Sequence, residues 1–93
     1  MSNKEDFYTS LKVKLEENHH FPEDYLFKFI IPNDKAKLTA IYQIFDEVKH
    51  TINTRESKNA KYISVSLLAF VLDANQVIDI YQKVGEIDNV IML

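Results

Sequence analysis

The strongest hydrophobic pattern in the chain is the period-two alternation from Lys61 to Val71. Its odd-numbered positions are all apolar: Ile63, Val65, Leu67, Ala69 and Val71. Its even-numbered positions change from polar to apolar along the segment: Tyr62, Ser64, Ser66, Leu68 and Phe70. Alternation with β-branched residues is typical of a strand with one buried face. The pattern predicts a central strand whose odd-numbered face lies in the core and whose even-numbered face is only partly covered.

Three further segments have the pattern of strands. Tyr25–Ile31 alternates, with Phe27, Phe29 and Ile31 on one side and Leu26, Lys28 and Ile30 on the other. Lys49–Glu56 is polar and β-branched, which favours an edge strand whose charges deter aggregation. Ser57–Ala60 is predicted to be the turn that leads into the central strand. Ile87–Leu93 is predicted to be a short terminal strand.

Two segments with helical periodicity lie in the first half of the chain. Lys4–Glu17 has a narrow stripe of Phe7, Leu11 and Leu15, with Tyr8 beside it. This helical extension should need a partner surface, because a free helix of its length is marginal in water. The second helix is predicted from about Lys35 to Val48, with Asn33 or Asp34 as its N-cap. Its apolar face consists of Leu38, Ile41, Ile44, Phe45 and Val48.

A third helix is predicted after Asp73, which would cap it while Gln76 closes a capping box. Its buried stripe consists of Val77, Ile80, Tyr81 and Val84. Gly85, the only glycine in the chain, is expected to be the C′ residue with positive φ.

The predicted order is one helix followed by β-α-β-β-α-β. This order predicts an α+β, ferredoxin-like sandwich, with a four-stranded antiparallel sheet and two helices on one face. Right-handed crossovers place the two most apolar strands in the centre. A three-helix protein with extended connections is the alternative, and the alternation in Tyr62–Val71 argues against it. We expect residues 1–93 to form a single ferredoxin-like domain with a helical extension at about residues 4–17.

Composition restricts the classes of function. The 14 acidic residues outnumber the 11 lysines and arginines, which argues against nucleic-acid binding. The chain has no cysteine, which excludes disulfides, thiolate metal sites and a cysteine nucleophile. No apolar run approaches the length of about 20 residues that a membrane span needs. No apolar signal core follows the N-terminal residues, so a cytoplasmic location is expected.

Two motifs are specific enough to compare with known families: Tyr62-x-Ser64-Val65-Ser66, and Tyr81-x-x-x-Gly85-x-Ile87-Asp88. With Phe21-Pro22, Tyr25, Phe27 and Lys28, they resemble the YbeD family of small bacterial proteins of unassigned function, from about Leu15 to the C-terminus. The resemblance implies an ACT-like fold and a regulatory or ligand-binding role. It implies no established activity.

The chain departs from that family at two places. Asn59 stands where the family usually has a glycine in the hairpin, and asparagine tolerates the left-handed conformation. Ile31-Pro32 stands where the family often has a glycine after the first strand. This difference alters the loop that an ACT domain would use to approach a ligand.

The even-numbered face of the central strand carries the main candidate site. From the central strand this face has the polar residues Tyr62, Ser64 and Ser66 and the apolar residues Leu68 and Phe70. The first strand is expected to add Lys28, with Leu26 and Ile30 beside it. A small anionic ligand or a protein partner could bind there. Alternatively, the N-terminal helix or a second subunit covers this face, with Lys28 at its rim. Something should cover the apolar part, since a monomer rarely exposes such a patch.

Two smaller groups of residues are weaker candidates. Arg55, Lys58 and Lys61 could bind an anion at the hairpin, or could form a solvated end. The three histidines, His19, His20 and His50, are expected to be solvated loop residues, because adjacent histidines rarely chelate one ion in good geometry. Neither a metal nor a cofactor is implied.

Catalytic and RNA-binding interpretations lack their required residues. Ser64 and Ser66 have no nucleophile elbow or oxyanion loop. Pro32–Lys35 offers neither a glycine nor an arginine for a phosphate cradle. An RNA-recognition sheet would need stacking aromatics where Lys28, Ser64 and Ser66 stand. We therefore expect neither an enzyme nor a nucleic-acid binder.

Two hypotheses about function remain. The first is a regulatory module of ACT-like type that senses a small metabolite and acts on a partner enzyme or a second subunit. The alternative is an interaction adaptor that binds a protein partner through the open sheet face and the N-terminal helix.

Overall fold

The computed structural model describes residues 3–93, and the side-chain surroundings from residue 6 onward. The elements, in chain order, are α1 Asn3–Asn18, β1 Glu23–Pro32, α2 Lys35–Ile44, β2 His50–Glu56, β3 Tyr62–Val71, α3 Ala74–Gly85 and β4 Ile91–Met92. The order predicted from the sequence is confirmed.

The four strands form one sheet in the order β2-β3-β1-β4. Every neighbouring pair is antiparallel. The longest ladder joins β1 to β3, from Glu23 opposite Val71 to Pro32 opposite Tyr62. Helices α2 and α3 pack together on one face, α2 against β1 and α3 against β3. This is the predicted α+β, ferredoxin-like arrangement with an N-terminal helix, and the two most apolar strands are central.

The core lies between the sheet and α2 and α3. All five odd-numbered residues of β3 predicted to be buried are buried. Phe27 and Phe29 of β1 are fully buried and meet Phe45 and Tyr81 from the helical side. Phe27 lies with its ring centroid 5.3 Å from those of both Phe45 and Tyr81. Edge-to-face aromatic packing of this kind contributes beyond the area that it buries.

Acidic N-caps begin α2 and α3. The Asp34 carboxylate accepts a hydrogen bond from the Ala36 N–H at 2.8 Å. The Asp73 carboxylate accepts one from the Gln76 N–H at 2.8 Å. The predicted capping box is wrong in one detail, because the Gln76 side chain accepts from the N–H of Leu72, one residue before the cap.

Two elements are shorter than the sequence predicts. Helix α2 ends at Ile44, because the Phe45 N–H is shared between the Ile41 and Tyr42 carbonyls and the helix tightens into turns. Phe45 is still fully buried. Strand β4 comprises Ile91–Met92 only, because the chain turns after α3 and reverses at Asn89, where φ is 65°.

The expectation for Gly85 is wrong. No glycine in the described part of the chain has a positive φ. Gly85 is the last residue of α3, and Glu86 follows it in right-handed helical conformation. A Cβ atom at this position would lie 3.3 Å from the Met92 Cε. The glycine therefore leaves room for the end of the Met92 side chain beside α3.

The left-handed residue of the β2–β3 hairpin is Ala60, with φ of 57°, and not Asn59 as expected. The Asn59 Oδ1 accepts hydrogen bonds from the Ser57 Oγ at 3.0 Å and from the Lys61 N–H at 3.2 Å. Because its side chain closes the turn in this way, the positive φ falls on the next residue.

Helix α1 packs against α3, on the helical side of the sheet. Leu15 is buried, and Tyr8 and Leu11 are partly buried against the core. Phe7, a member of the predicted apolar stripe, is 61% exposed, because the face of α1 that contacts the core contains Tyr8, Leu11 and Leu15. Of the two alternative covers considered for the even-numbered face of the sheet, the N-terminal helix is therefore wrong, and a second subunit stays a prediction.

In the part of the chain that is described, no helix is long and apolar enough to cross a bilayer.

Candidate functional site

No element of the described residues covers the side of the sheet away from α2 and α3, which we call the open face. Cross-strand partners in a sheet project to the same side. The members of the open face therefore follow from three registers: β1 with β3, β2 with β3, and β4 with β1. They are Asp24, Leu26, Lys28, Ile30, Pro32, Thr51, Asn53, Arg55, Tyr62, Ser64, Ser66, Leu68, Phe70 and Ile91.

One half of the open face is apolar. Leu26 lies opposite Leu68, and they are 50% and 43% exposed. Phe70, the next open-face residue of β3, is 41% exposed. The neighbouring side chains Leu26, Leu68 and Phe70 thus form a contiguous apolar surface, and this arrangement marks interaction sites more often than scattered exposed residues do. Ile91 on the edge strand β4 is also exposed, but it lies opposite Ile30, beyond the Lys28–Ser66 pair and outside this surface.

The other half of the open face is polar and slightly concave. Ser64 lies between Ile30 on β1 and Arg55 on β2. These three residues, with Glu56, Ser57 and Tyr62, line a depression of ≈ 320 Å³. Arg55 is the only arginine in the chain, and its planar guanidinium is suited to a carboxylate or phosphate. Most of the surface that lines the depression is apolar, so Arg55 is the group there that a small anion would contact.

Charge on the open face differs in sign from the charge of the whole chain. The net charge of the chain is −3, yet the open face carries Lys28 and Arg55 against Asp24 alone. Lys58 and Lys61 are exposed in the adjoining hairpin. The open face is thus a locally basic surface on an acidic protein.

The structure brings all six residues predicted for ligand or partner binding onto the open face: Lys28, Tyr62, Ser64, Ser66, Leu68 and Phe70. Of the predicted anion group, Arg55 joins them directly, while Lys58 and Lys61 lie in the hairpin. Ile91 was missed, because the pattern of the last segment does not fix its register. Whether these residues bind anything stays a prediction.

Two of the three histidines are not solvated loop residues, contrary to expectation. His19 is half-buried, with its ring near those of Phe21 and Tyr25 and its Nδ1 3.4 Å from the Glu23 Oε1. His50 belongs to β2, and its Nδ1 lies 2.6 Å from the Val48 carbonyl oxygen. Both rings pack against aromatic neighbours. No group of three or more potential metal ligands occurs within residues 3–93 as described.

The buried side of the sheet contains a pair of tyrosines. The hydroxyl groups of Tyr25 and Tyr81 lie 3.1 Å apart. Burial raises the pKa of the Tyr81 hydroxyl above its usual value, and the hydrogen bond to Tyr25 raises it further. Tyr81 therefore stays protonated well above neutral pH, and the geometry of the pair is that of a structural bridge between β1 and α3.

These features define a class: a small α+β sandwich of ferredoxin-like topology with a bare, partly apolar sheet face. A family model described as "Protein of unknown function (DUF493)" matches residues 16–93. The chain belongs to this family, which includes YbeD. The match begins near the end of α1 and covers the whole sheet and both of its packed helices. No curated protein and no solved structure matches the chain.

Proposed function

We propose that this protein is a non-catalytic regulatory module that acts by binding a protein partner across the open face. The single observation that carries the proposal is the exposure of Leu26, Leu68 and Phe70 side by side on a sheet that α1 leaves bare. Fully burying a side chain of this size contributes about 1.5–3 kcal/mol relative to full exposure, and roughly half of that is left for a partner to supply because these side chains are 41–50% exposed. This gain is large enough for a specific contact.

The charges of the open face indicate the chemistry of the partner. Lys28 occupies the middle of β1, and Arg55 and the basic hairpin lie toward one end. A partner surface with an apolar centre and carboxylates on one side would match this layout. Complementary charges increase the association rate and fix the orientation more than they increase affinity. Binding should therefore weaken moderately as ionic strength rises.

The positions of the polar side chains support a non-catalytic role. Ser64 and Ser66 lie on the open face, whereas His50 on β2 is paired with Ala69, whose side chain points into the core. The hydroxyls and the imidazole are thus on opposite sides of the sheet. Nucleophilic catalysis by serine requires a base within hydrogen-bond reach.

Affinity capture followed by reconstitution tests the proposal. The immobilised chain is used to retain proteins from an extract of its source, and each retained protein is purified and its affinity is measured. The comparison is with Leu68→Thr, Phe70→Thr, which removes apolar area but keeps residues that favour strands. Phe7→Thr, Val13→Thr is the matched control, because both side chains are exposed on α1. Loss of binding in the first variant alone supports the proposal.

A second candidate function is the sensing of a small anion at the polar half of the open face. The observation that favours it is the depression at Ile30, Ser64 and Arg55. A thermal-shift screen with inorganic phosphate, amino acids and di- and tricarboxylic acids tests it. A ligand at about 100 times its Kd should add about 2.7 kcal/mol of stability. Arg55→Gln should abolish that shift, whereas Lys58→Gln in the hairpin should leave most of it.

A further inference from the structure

Strand β2 is a long edge whose outer side makes no hydrogen bonds within the described residues. The Lys49 carbonyl accepts a hydrogen bond from the Phe70 N–H, and the Ser57 N–H donates to the Tyr62 carbonyl. Backbone groups alternate in direction along a strand, so the N–H and C=O groups of the odd-numbered residues of β2 point toward β3. The N–H and C=O groups of His50, Ile52, Thr54 and Glu56 therefore point outward.

The charges expected to deter pairing at this edge, Lys49, Arg55 and Glu56, lie only at or beyond its two ends. Its middle, Thr51–Thr54, contains neither a charge nor a proline, and natural proteins commonly protect edges with lysine, proline or a bulge. Every residue of β2 except His50 is exposed. The middle residues are mostly β-branched and favour strand pairing.

The helical layer does not extend over β2. Helix α2 packs on β1 and α3, and α3 packs on β3. Ile52 lies opposite the buried Leu67 and therefore on the helical side of the sheet, yet it is 37% exposed. An apolar side chain is thus left bare beside the core, at the margin of the sheet.

We propose that β2 pairs antiparallel with β2 of a second copy of this chain, centred on Asn53, so that the two sheets become continuous. This inference goes beyond the proposed binding of a partner protein, because it uses the edge of the sheet and not its open face. It would place the two open faces on the same side, as one double surface.

Backbone parity selects the register. Antiparallel hydrogen-bonded pairs must join residues whose N–H and C=O groups point outward. Centring on Asn53 pairs His50 with Glu56 and Ile52 with Thr54 of the second copy. Each pairing occurs twice by symmetry, so all the outward groups are used, with about two hydrogen bonds per pair. A shift by two residues in either direction leaves outward groups of one end without a partner.

The side chains agree with the same register. It places Arg55 opposite Thr51 of the second copy and Glu56 opposite His50, so no like charges face each other across the edge. Ile52 and Thr54 of the two copies would cover each other on the helical side. This reciprocity is the reason to assign the edge to a second copy and not to an unrelated peptide. An interface of one strand pair is small, so the dimer should be concentration-dependent.

Amide hydrogen exchange over a concentration series tests the pairing residue by residue. We expect the N–H groups of Ile52 and Thr54 to gain protection as concentration rises, while the inward N–H of Asn53 is protected throughout. Sedimentation or light scattering of the same samples should show monomer converting to dimer. Exchange at Ile52 and Thr54 that is independent of concentration would overturn the proposal. The same holds if dimerisation protects other residues, or if these amides are protected only when a different protein is added.

Two pairs of variants test the edge and its register. Thr54→Pro removes an outward N–H without removing a hydrogen bond to β3, so it should be monomeric, while Thr54→Val should still dimerise. Thr51→Glu should tighten the dimer about two- to thirtyfold through Arg55 of the second copy, and Thr51→Arg should weaken it comparably. Equal association of the two Thr54 variants would refute pairing through this edge, and equal association of the two Thr51 variants would refute the assigned register. Leu68→Thr, Phe70→Thr should leave this dimer intact, which separates it from the proposed function.

Discussion

The hydroxyl groups of Tyr25 on β1 and Tyr81 on α3 share a hydrogen bond of 3.1 Å. Tyr81 is 9% exposed and contacts Phe27 and Phe29 through its ring. The bridge thus fixes the position of α3 over the central strand β1 while it satisfies a hydroxyl that burial would otherwise leave unpaired.

Tyr81→Phe removes the hydrogen bond and keeps the ring. We expect it to lower the free energy of unfolding by about 1 kcal/mol, since Tyr25 loses a partly buried hydrogen-bond partner. Urea denaturation measures the change. Tyr42→Phe is the control: Tyr42 is exposed on α2, and this variant should change stability by less than about 0.5 kcal/mol.

The raised pKa of Tyr81 predicts a loss of stability in alkali. In the unfolded chain a tyrosine ionises near pH 10, whereas in the folded chain burial keeps Tyr81 protonated to higher pH. The unfolded state therefore loses a proton first, and stability falls as pH rises above about 10, at up to about 1.4 kcal/mol per pH unit. Tyr81→Phe should show a shallower decline in denaturation experiments between about pH 9.5 and 11. Identical slopes for both proteins would contradict the assignment.

Gly85→Ala distinguishes two roles of the glycine. A residue with positive φ would lose stability on this change, but Gly85 is helical. The added methyl group would lie 3.3 Å from the Met92 Cε, which is the end of a flexible side chain that can move. We therefore expect a small gain in stability, of about 0.5 kcal/mol, from the better helix propensity of alanine. A loss of more than about 1 kcal/mol would show that Met92 cannot adjust.

Ala60→Gly should stabilise the β2–β3 hairpin. Ala60 has a φ of 57°, a conformation that costs a residue with a Cβ about 1 kcal/mol and costs glycine little. The gain in thermal or urea stability should be up to about 1 kcal/mol, reduced by the greater freedom of glycine in the unfolded chain. Asn59→Gly should instead destabilise the protein, since it removes the acceptor for Ser57 and Lys61. The opposite order of these two variants would contradict the described turn.

Much of the fold could be predicted because its signals are local. The alternation in β3, the acidic caps Asp34 and Asp73, and the apolar faces of α2 and α3 each constrain one element, and the connection rules then leave few topologies. The ends of elements depend on tertiary packing, and there the predictions failed. Phe45 leaves the helix yet stays buried, and the chain reverses at Asn89 and not at Gly85.

The candidate site was predictable in its members but not in its surroundings. Strand parity placed Ser64, Ser66, Leu68 and Phe70 on one face without any knowledge of register. The position of α1 depends on how Leu15 and Tyr8 fit against α3, which periodicity does not encode. The register of β4 and the packing of His19 against Tyr25 are likewise long-range properties.

The central claim is that the apolar half of the open face binds a partner protein. The most direct measurement uses a purified partner that the wild-type chain retains, and compares its Kd for three proteins. These are the wild type, the double variant Leu68→Thr, Phe70→Thr, and the control double variant Phe7→Thr, Val13→Thr. Truncation of buried interface anchors costs more than about 1 kcal/mol each, so we predict at least a tenfold weaker Kd for the first variant and an unchanged Kd for the control. Equal affinity for all three proteins would contradict the claim, as would the absence of any partner that the wild-type chain retains.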